Sequence, residues 1–118
     1  MAASYLDLYI DQGTDYTNQI ALNDANGHAY NLVGFSVSSA AKNSYYNANA
    51  AFIFTASVYD PINGIIQLSA NSAVTANVSA MQKLIYDVIV TDSAGLISRV
   101  LEGNIFISPG VTGIKLTS

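Results

Sequence analysis

Alternation of apolar and polar positions is the dominant pattern along this chain. It is clearest at residues 83–109, where two runs rich in β-branched residues flank a short turn that ends in Gly95. Strand side chains point alternately to two faces, and a turn of this kind joins antiparallel strands. In the first run the apolar face carries Leu84, Tyr86, Val88 and Val90. The stretch therefore predicts a long β-hairpin whose first strand buries this face.

The second run of the hairpin has a less regular phase. Strict alternation places Ile97, Arg99 and Leu101 on one face. Gly103 follows in the same phase, and a glycine inside a strand is a common place for a β-bulge. We therefore expect the alternation to change phase at Gly103, before Ile105.

Shorter runs with the same period occupy much of the remaining chain. They predict strands at residues 5–10, 16–22, 28–32, 35–39, 51–59 and 65–70. Turn sequences at residues 23–27 and 60–64 end in Gly27 and Gly64, which we expect to adopt positive φ. Residues 71–81 lack alternation and predict a short helical turn over one end of the fold. Seven to eight mostly antiparallel strands predict one all-β sandwich domain over residues 1–118, with residues 111–118 as a tail or an added strand.

The chain carries little charge for its size. Charged residues make up 10% of its 118 residues, against roughly 25% in an average soluble domain. A monomer normally solvates its surface with charge, so this chain must use uncharged polar groups or cover part of its surface with a partner. The net charge is −4, and the four basic residues are scattered in sequence. Nucleic acid is therefore not expected as a partner.

Composition also argues against several kinds of site. The absence of cysteine excludes disulfides and thiol chemistry. No apolar run approaches the ~20 residues of a membrane span, and the N-terminus lacks the basic start and apolar run of a signal peptide. We expect no cofactor and no membrane association.

A series of short motifs follows this strand pattern. In order they are DQG at residues 11–13, LNDANG at 22–27, NLVGF at 31–35, YDV at 86–88, TDSAG at 91–95, RVLEG at 99–103 and PGVT at 109–112. Their order and spacing resemble small structural domains of tailed bacteriophages, in particular the N-terminal immunoglobulin-like domain of baseplate upper proteins. The resemblance implies an immunoglobulin-like β-sandwich located in the virion, with other virion proteins as partners and no catalytic role. The resemblance covers most of residues 5–112. Those domains often head a longer chain, whereas here the chain stops just after Thr112, which leaves a stand-alone virion component as one alternative.

Candidate chemical sites each have a simpler explanation. His28 is the only histidine, and it lies just after a turn with no nucleophile in its neighbourhood, so no catalytic triad is expected. Asp11, Asp15 and Asp24 could converge on a calcium ion, but aspartate also caps turns, and we expect no metal.

Two carboxylates on facing hairpin strands form the remaining constellation. Asp87 and Glu102 could act as an acid–base pair, but Arg99 offers either of them a partner, and a cross-strand ion pair is the favoured interpretation. No set of nucleophile, base and orienting group is evident. The sequence therefore predicts no catalytic residues.

Exposed tyrosines and amides are the best candidates for an interface. Aromatic side chains beside amides can anchor a protein partner or stack on sugars. The candidates lie in the Asn-rich stretch and in the C-terminal segment: Tyr45, Tyr46, Asn47, Asn49, Val111 and Ile114. The favoured function is a non-enzymatic virion structural protein, forming a homo-oligomer within the particle. The alternative is an adhesin module that binds glycans or a host surface.

Overall fold

Two β-sheets packed face to face form the protein. The computed structural model describes residues 4–24, 26–44, 50–78 and 83–109. Its strands are β1 (Ser4–Tyr5), β2 (Leu8–Asp11), β3 (Tyr16–Ala21), β4 (Ser36–Lys42), β5 (Phe52–Ile53), β6 (Thr55–Asp60), β7 (Ile65–Ala70), β8 (Lys83–Thr91) and β9 (Ile97–Ser108), and its helix is α1 (Ser72–Ala76).

The six-stranded sheet has β9, β8, β4 and β5 side by side, with β1 and β2 both paired to the outer edge of β9. The three-stranded sheet has the order β3-β7-β6. The pairs that β1 and β2 make with β9 are parallel, and the other strand pairs are antiparallel. The predicted all-β, immunoglobulin-like sandwich is confirmed. The extent of a single domain to residue 118 stays a prediction, because residues 110–118 lie outside the described part.

The β8–β9 hairpin is confirmed, and its first strand buries the predicted face. Leu84, Tyr86, Val88 and Val90 are all at most 4% exposed. The bulge, however, is not at Gly103. Val88 pairs with Leu101 and Ile89 pairs with Arg99, so Val100 has no partner on β8. This extra residue turns Leu101 and Gly103 to the core and leaves Arg99 on the outside.

The predicted strand at residues 51–59 is in fact two strands that belong to different sheets. β5 pairs with β4 in the six-stranded sheet, whereas β6 pairs with β7 in the other. Phe54 lies between them and is 3% exposed. Its ring contacts those of Tyr16, Phe52 and Tyr86, with centroid separations of 4.9–6.3 Å. Phe54 therefore lies at the point where the chain crosses between the sheets and fills the space there.

Residues 28–32 do not form the predicted strand. The side chain of Asp24 accepts hydrogen bonds from the backbone N–H groups of Asn26 and His28, which closes a compact turn. Beyond it, the Tyr30 N–H donates to the Leu22 carbonyl and the Leu32 N–H donates to the Pro61 carbonyl. Because these groups bond to different segments, no continuous ladder forms, and only an isolated bridge joins Asn23 to Ala29.

The predicted helical turn is confirmed as α1, which closes the end of the sandwich near the start of β3. Asn71 caps the helix by accepting a hydrogen bond from the Val74 N–H. The Thr75 hydroxyl donates to the Thr14 carbonyl at 2.7 Å, and the Asp15 carboxylate accepts from the Ser72 N–H. These contacts attach α1 to the segment between β2 and β3. No helix in the described part is long and apolar enough to cross a membrane.

Candidate interaction face

The outer surface of the six-stranded sheet brings together side chains from all six of its strands. Register fixes one row across it: Ile53 pairs with Ala40, Ala40 with Asp87, Asp87 with Glu102, and Glu102 with Tyr5. We define the interaction face as the outward residues Tyr5, Tyr9, Ala40, Lys42, Ile53, Lys83, Ile85, Asp87, Arg99, Glu102, Asn104 and Phe106.

An ion-pair cluster occupies the centre of the interaction face. Arg99 Nε lies 3.1 Å from Asp87 Oδ2, and Arg99 Nη1 lies 3.9 Å from Glu102 Oε1. The favoured cross-strand ion pair is therefore present. Each of these side chains is between one third and just over one half exposed, so the pair contributes at most about 1 kcal/mol to stability. Its effect is to hold three charged groups in a fixed arrangement on the surface.

A shallow depression of about 220 Å³ adjoins this cluster. Its lining includes Ala40, Lys42, Ile85 and Arg99. The depression exists because Ala40 has only a methyl group where its neighbours have long side chains. The lining holds no serine, threonine or histidine. With Tyr86, Asp87 and Glu102 also in the lining, the residues there offer a mixed apolar and charged surface.

Aromatic side chains line the β1–β2 edge of the interaction face. Tyr9 is 69% exposed, and its ring stacks on that of Phe106 with centroids 5.4 Å apart. Tyr5 is 64% exposed, and its hydroxyl oxygen accepts a hydrogen bond from the Asn104 amide at 2.5 Å. On the opposite edge, Ile53 is 71% exposed. Large apolar groups thus flank the central charges on both sides.

Tyr5 and Tyr9 flank a segment in which Leu6 packs closely against Gly103 of β9. The predicted strand at residues 5–10 is interrupted after Tyr5, and Leu6 donates its N–H to the Glu102 carbonyl. A Cβ at Gly103 would collide with the Leu6 carbonyl, so the close approach requires glycine. The Tyr86 hydroxyl donates to the same Leu6 carbonyl at 2.6 Å. Burial raises the pKa of Tyr86 well above its usual value, and Tyr16, Asp7 and Tyr5 add a smaller electrostatic effect in the same direction.

Charge is distributed unevenly over the described surface. Lys42, Lys83 and Arg99 are the described basic residues, and all three lie on the interaction face; Lys115 lies outside the described part. The outward residues of the three-stranded sheet are mostly uncharged, among them Thr17, Gln19, Ser57 and Gln67, and Asp60 at the end of β6 is the charged one among those described. The two broad surfaces of the sandwich therefore differ in chemistry.

The remaining chemical candidates from the sequence do not come together. His28 lies in an exposed turn with Nδ1 4.0 Å from Asp24 Oδ1. Asp15 accepts a hydrogen bond at α1, whereas Asp24 closes a turn, and both roles are the structural ones expected for aspartate. Among the described residues there is no group of three His, Asp or Glu side chains that could hold a metal ion.

The interface candidates from the sequence lie outside the described residues: Tyr45, Tyr46, Asn47, Asn49, Val111 and Ile114. The sequence reasoning did not select Tyr5, Tyr9 or Ile53. One signal for this face was available, because Ile85 and Ile89 occupy the outward phase of β8, where a strand exposed to water would carry polar residues.

Comparisons with known proteins give a likeness of fold. No family model and no curated protein match this sequence. A chain in the crystal structure of ICOS in complex with ICOS-L and an anti ICOS-L VNAR domain is similar, with a TM-score of 0.45 and 12% sequence identity. The match covers 92% of this chain and 56% of that chain. This chain thus spans little more than half the length of the chain it matches.

Proposed function

We propose that the protein is a non-enzymatic structural component of a bacteriophage virion, and that it acts through contacts with other virion proteins. The observation that carries the proposal is the interaction face, where exposed Tyr5, Tyr9 and Ile53 surround a fixed cluster of charges. Aromatic and aliphatic groups anchor protein interfaces, and charged groups set the register between partners. The virion location rests on the resemblance to phage baseplate domains.

The size of the face agrees with such a role. Five columns of strands about 4.8 Å apart and about six residues long cover roughly 500 Å². A partner would lose a similar area, and the total of roughly 1,000 Å² is the lower limit for a specific interface.

A substitution pair tests this proposal. Ile53→Asp places a carboxylate on the interaction face, and Ser57→Asp places one on the outer surface of the other sheet. Both side chains are exposed, so both variants should fold normally. We expect Ile53→Asp to lower incorporation into particles at least tenfold and Ser57→Asp to leave it unchanged. Equal incorporation of the two variants would contradict the proposal.

An adhesin that binds glycans is the second candidate. The Tyr9–Phe106 stack and the nearby Asn104 amide favour it, because sugars stack on aromatic rings and bond to amides. A glycan array separates the two functions. Glycan binding by the wild type that is lost in Tyr9→Ala would favour the adhesin. If the wild type binds no glycan on the array and Ile53→Asp lowers incorporation into particles, the structural role is favoured.

A further inference from the structure

One edge of the three-stranded sheet is open and regular. β3 pairs with β7 over six consecutive residue pairs without a register shift. Its other side has no partner strand in the described part of the chain. β6, at the opposite edge, has an irregularity between Val58 and Asp60 and is followed by Pro61. Bulges and prolines are the usual guards of sheet edges, so β3 is the less protected edge.

The alternation of hydrogen bonds identifies the free groups on β3. The Leu22 N–H donates to the Gly64 carbonyl at 2.8 Å. Because the direction of the backbone groups alternates along an antiparallel strand, the even-numbered residues of β3 are the ones that hydrogen-bond to β7. Thr17, Gln19 and Ala21 therefore direct their backbone N–H and C=O groups away from the sheet. The turn after Leu22 folds toward Gly64, where the Tyr30 N–H donates to the Leu22 carbonyl, so it lies on the opposite side from the free groups.

We propose that β3 pairs antiparallel with β3 of a second copy of this chain, about a two-fold axis that passes beside Gln19. This inference rests on the proposed assembly role but uses a different surface from the interaction face. With Gln19 opposite Gln19 of the second copy, Thr17 lies opposite Ala21 and Ala21 opposite Thr17. All the free N–H and C=O groups of Thr17, Gln19 and Ala21 are then paired within β3, whereas a centre at Asn18 would place Ala21 opposite Asp15, outside the strand.

The side chains on this edge are compatible with a copy of themselves. An isologous pair places each residue at the axis opposite itself, and β3 carries no charged side chain that would be repelled there. An amide has both a donor and an acceptor, so two Gln19 side chains can bond to each other. Gln19 Nε2 already donates to Gln67 Oε1 at 3.1 Å, and the pairing would extend this contact into a row of four amides across the dimer.

Pairing of β3 with β3 of a second copy would bury only a small area. Six residues span about 20 Å, and one added strand buries less surface than the roughly 1,000 Å² of a stable interface. Self-association through β3 should therefore be weak in dilute solution and should become effective at the high local concentration of an assembly. A second copy is favoured over a charged partner segment, because no charge on β3 would select one.

Opposite charges at position 19 test the pairing directly. Sedimentation velocity over a concentration series should show a monomer–dimer equilibrium for the wild type. Gln19→Lys alone and Gln19→Glu alone should each weaken dimerisation about fivefold, because like charges then face each other at the axis. An equimolar mixture of the two variants should recover dimers. Gln67→Lys is the matched control, since it adds the same charge one strand away from the axis and should have a much smaller effect.

Cysteine substitution gives an independent readout, because the natural chain has no cysteine. Paired residues at the axis have Cα atoms about 5.5 Å apart, which lies within the range for a disulfide. Gln19→Cys should therefore give disulfide-linked dimers on mild oxidation, and Gln67→Cys should not. A wild type that stays monomeric at millimolar concentration, or a dimer that responds equally to the changes at Gln19 and Gln67, would overturn the pairing. Tyr9→Ala, which changes the interaction face, should leave this dimer intact. A failure of the β3 pairing can therefore be told apart from a failure of the proposed function.

Discussion

Gly64 and Gly27 provide a matched pair in which only one glycine is sterically enclosed. Both end predicted turns, and both have positive φ, +68° for Gly64 and +82° for Gly27. A Cβ at Gly27 would have no neighbour within 4 Å. A Cβ at Gly64 would lie 2.5 Å from the Tyr30 carbonyl oxygen and 2.8 Å from that of Leu22. The Leu22 carbonyl accepts a hydrogen bond from the Tyr30 N–H, and the Leu22 N–H donates to the Gly64 carbonyl, so this backbone cannot shift without straining those bonds.

The two substitutions to alanine should therefore differ in cost. The left-handed conformation costs an L-residue roughly 1–2 kcal/mol, and this applies at both sites. At Gly64 the crowding adds about 1–3 kcal/mol, the usual range for an inserted methyl group in a packed site. We expect Gly27→Ala to lower the free energy of unfolding by about 1 kcal/mol and Gly64→Ala to lower it by roughly 2–5 kcal/mol.

Urea denaturation at 25 °C, followed by circular dichroism, measures both values. The fitted slope with urea should be the same for wild type and variants, so that the change in midpoint reports stability. Equal losses of stability at Gly27 and Gly64 would show that the steric enclosure of Gly64 by Leu22 and Tyr30 is unimportant.

Three further predictions concern the core. Phe54→Ala should lower the free energy of unfolding by about 3–5 kcal/mol, because the ring is buried between the sheets, whereas Thr55→Ala next to it should change it by less than about 0.5 kcal/mol in the same urea experiment. Gly103→Ala should cost about 1–3 kcal/mol and increase hydrogen exchange in β1 and β2, because the new methyl group meets the Leu6 carbonyl. Stability should also fall above about pH 10, where tyrosine ionises in the unfolded chain but Tyr86, with its raised pKa, stays neutral in the folded one. Tyr86→Phe should make that fall shallower, and an unchanged pH profile would refute the assignment to Tyr86.

The sequence predicted those features that depend on local chemistry. The buried face of β8, the positive φ of Gly27 and Gly64, and α1 each follow from a short stretch of residues, and the structure confirms all of them. The switch of sheet at Phe54 could not be predicted, because the alternation keeps the same phase on both sides of it. The bulge at Val100 was misplaced to Gly103 because the glycine has a different role, the close approach of Leu6.

The interaction face could not be read from the sequence because it depends on register between distant strands. Tyr5 and Ile53 look like ordinary exposed residues in their own segments, and only the pairing through β9, β8 and β4 places them in one row. The edge of β3 is a similar case. Its lack of charge was visible in the sequence, but the direction of its free groups required the hydrogen bond from Leu22 to Gly64.

Photo-crosslinking inside assembled particles shows whether the interaction face contacts other virion proteins. A photoreactive amino acid replaces Tyr9 on the interaction face in one variant and Ser57 on the outer surface of the other sheet in the control. After irradiation of purified particles, mass spectrometry identifies what is attached. We predict efficient crosslinks from position 9 to another virion protein and few from position 57. Crosslinks of equal yield from the two positions, or none from position 9 in intact particles, would contradict the proposed contact of the interaction face with other virion proteins.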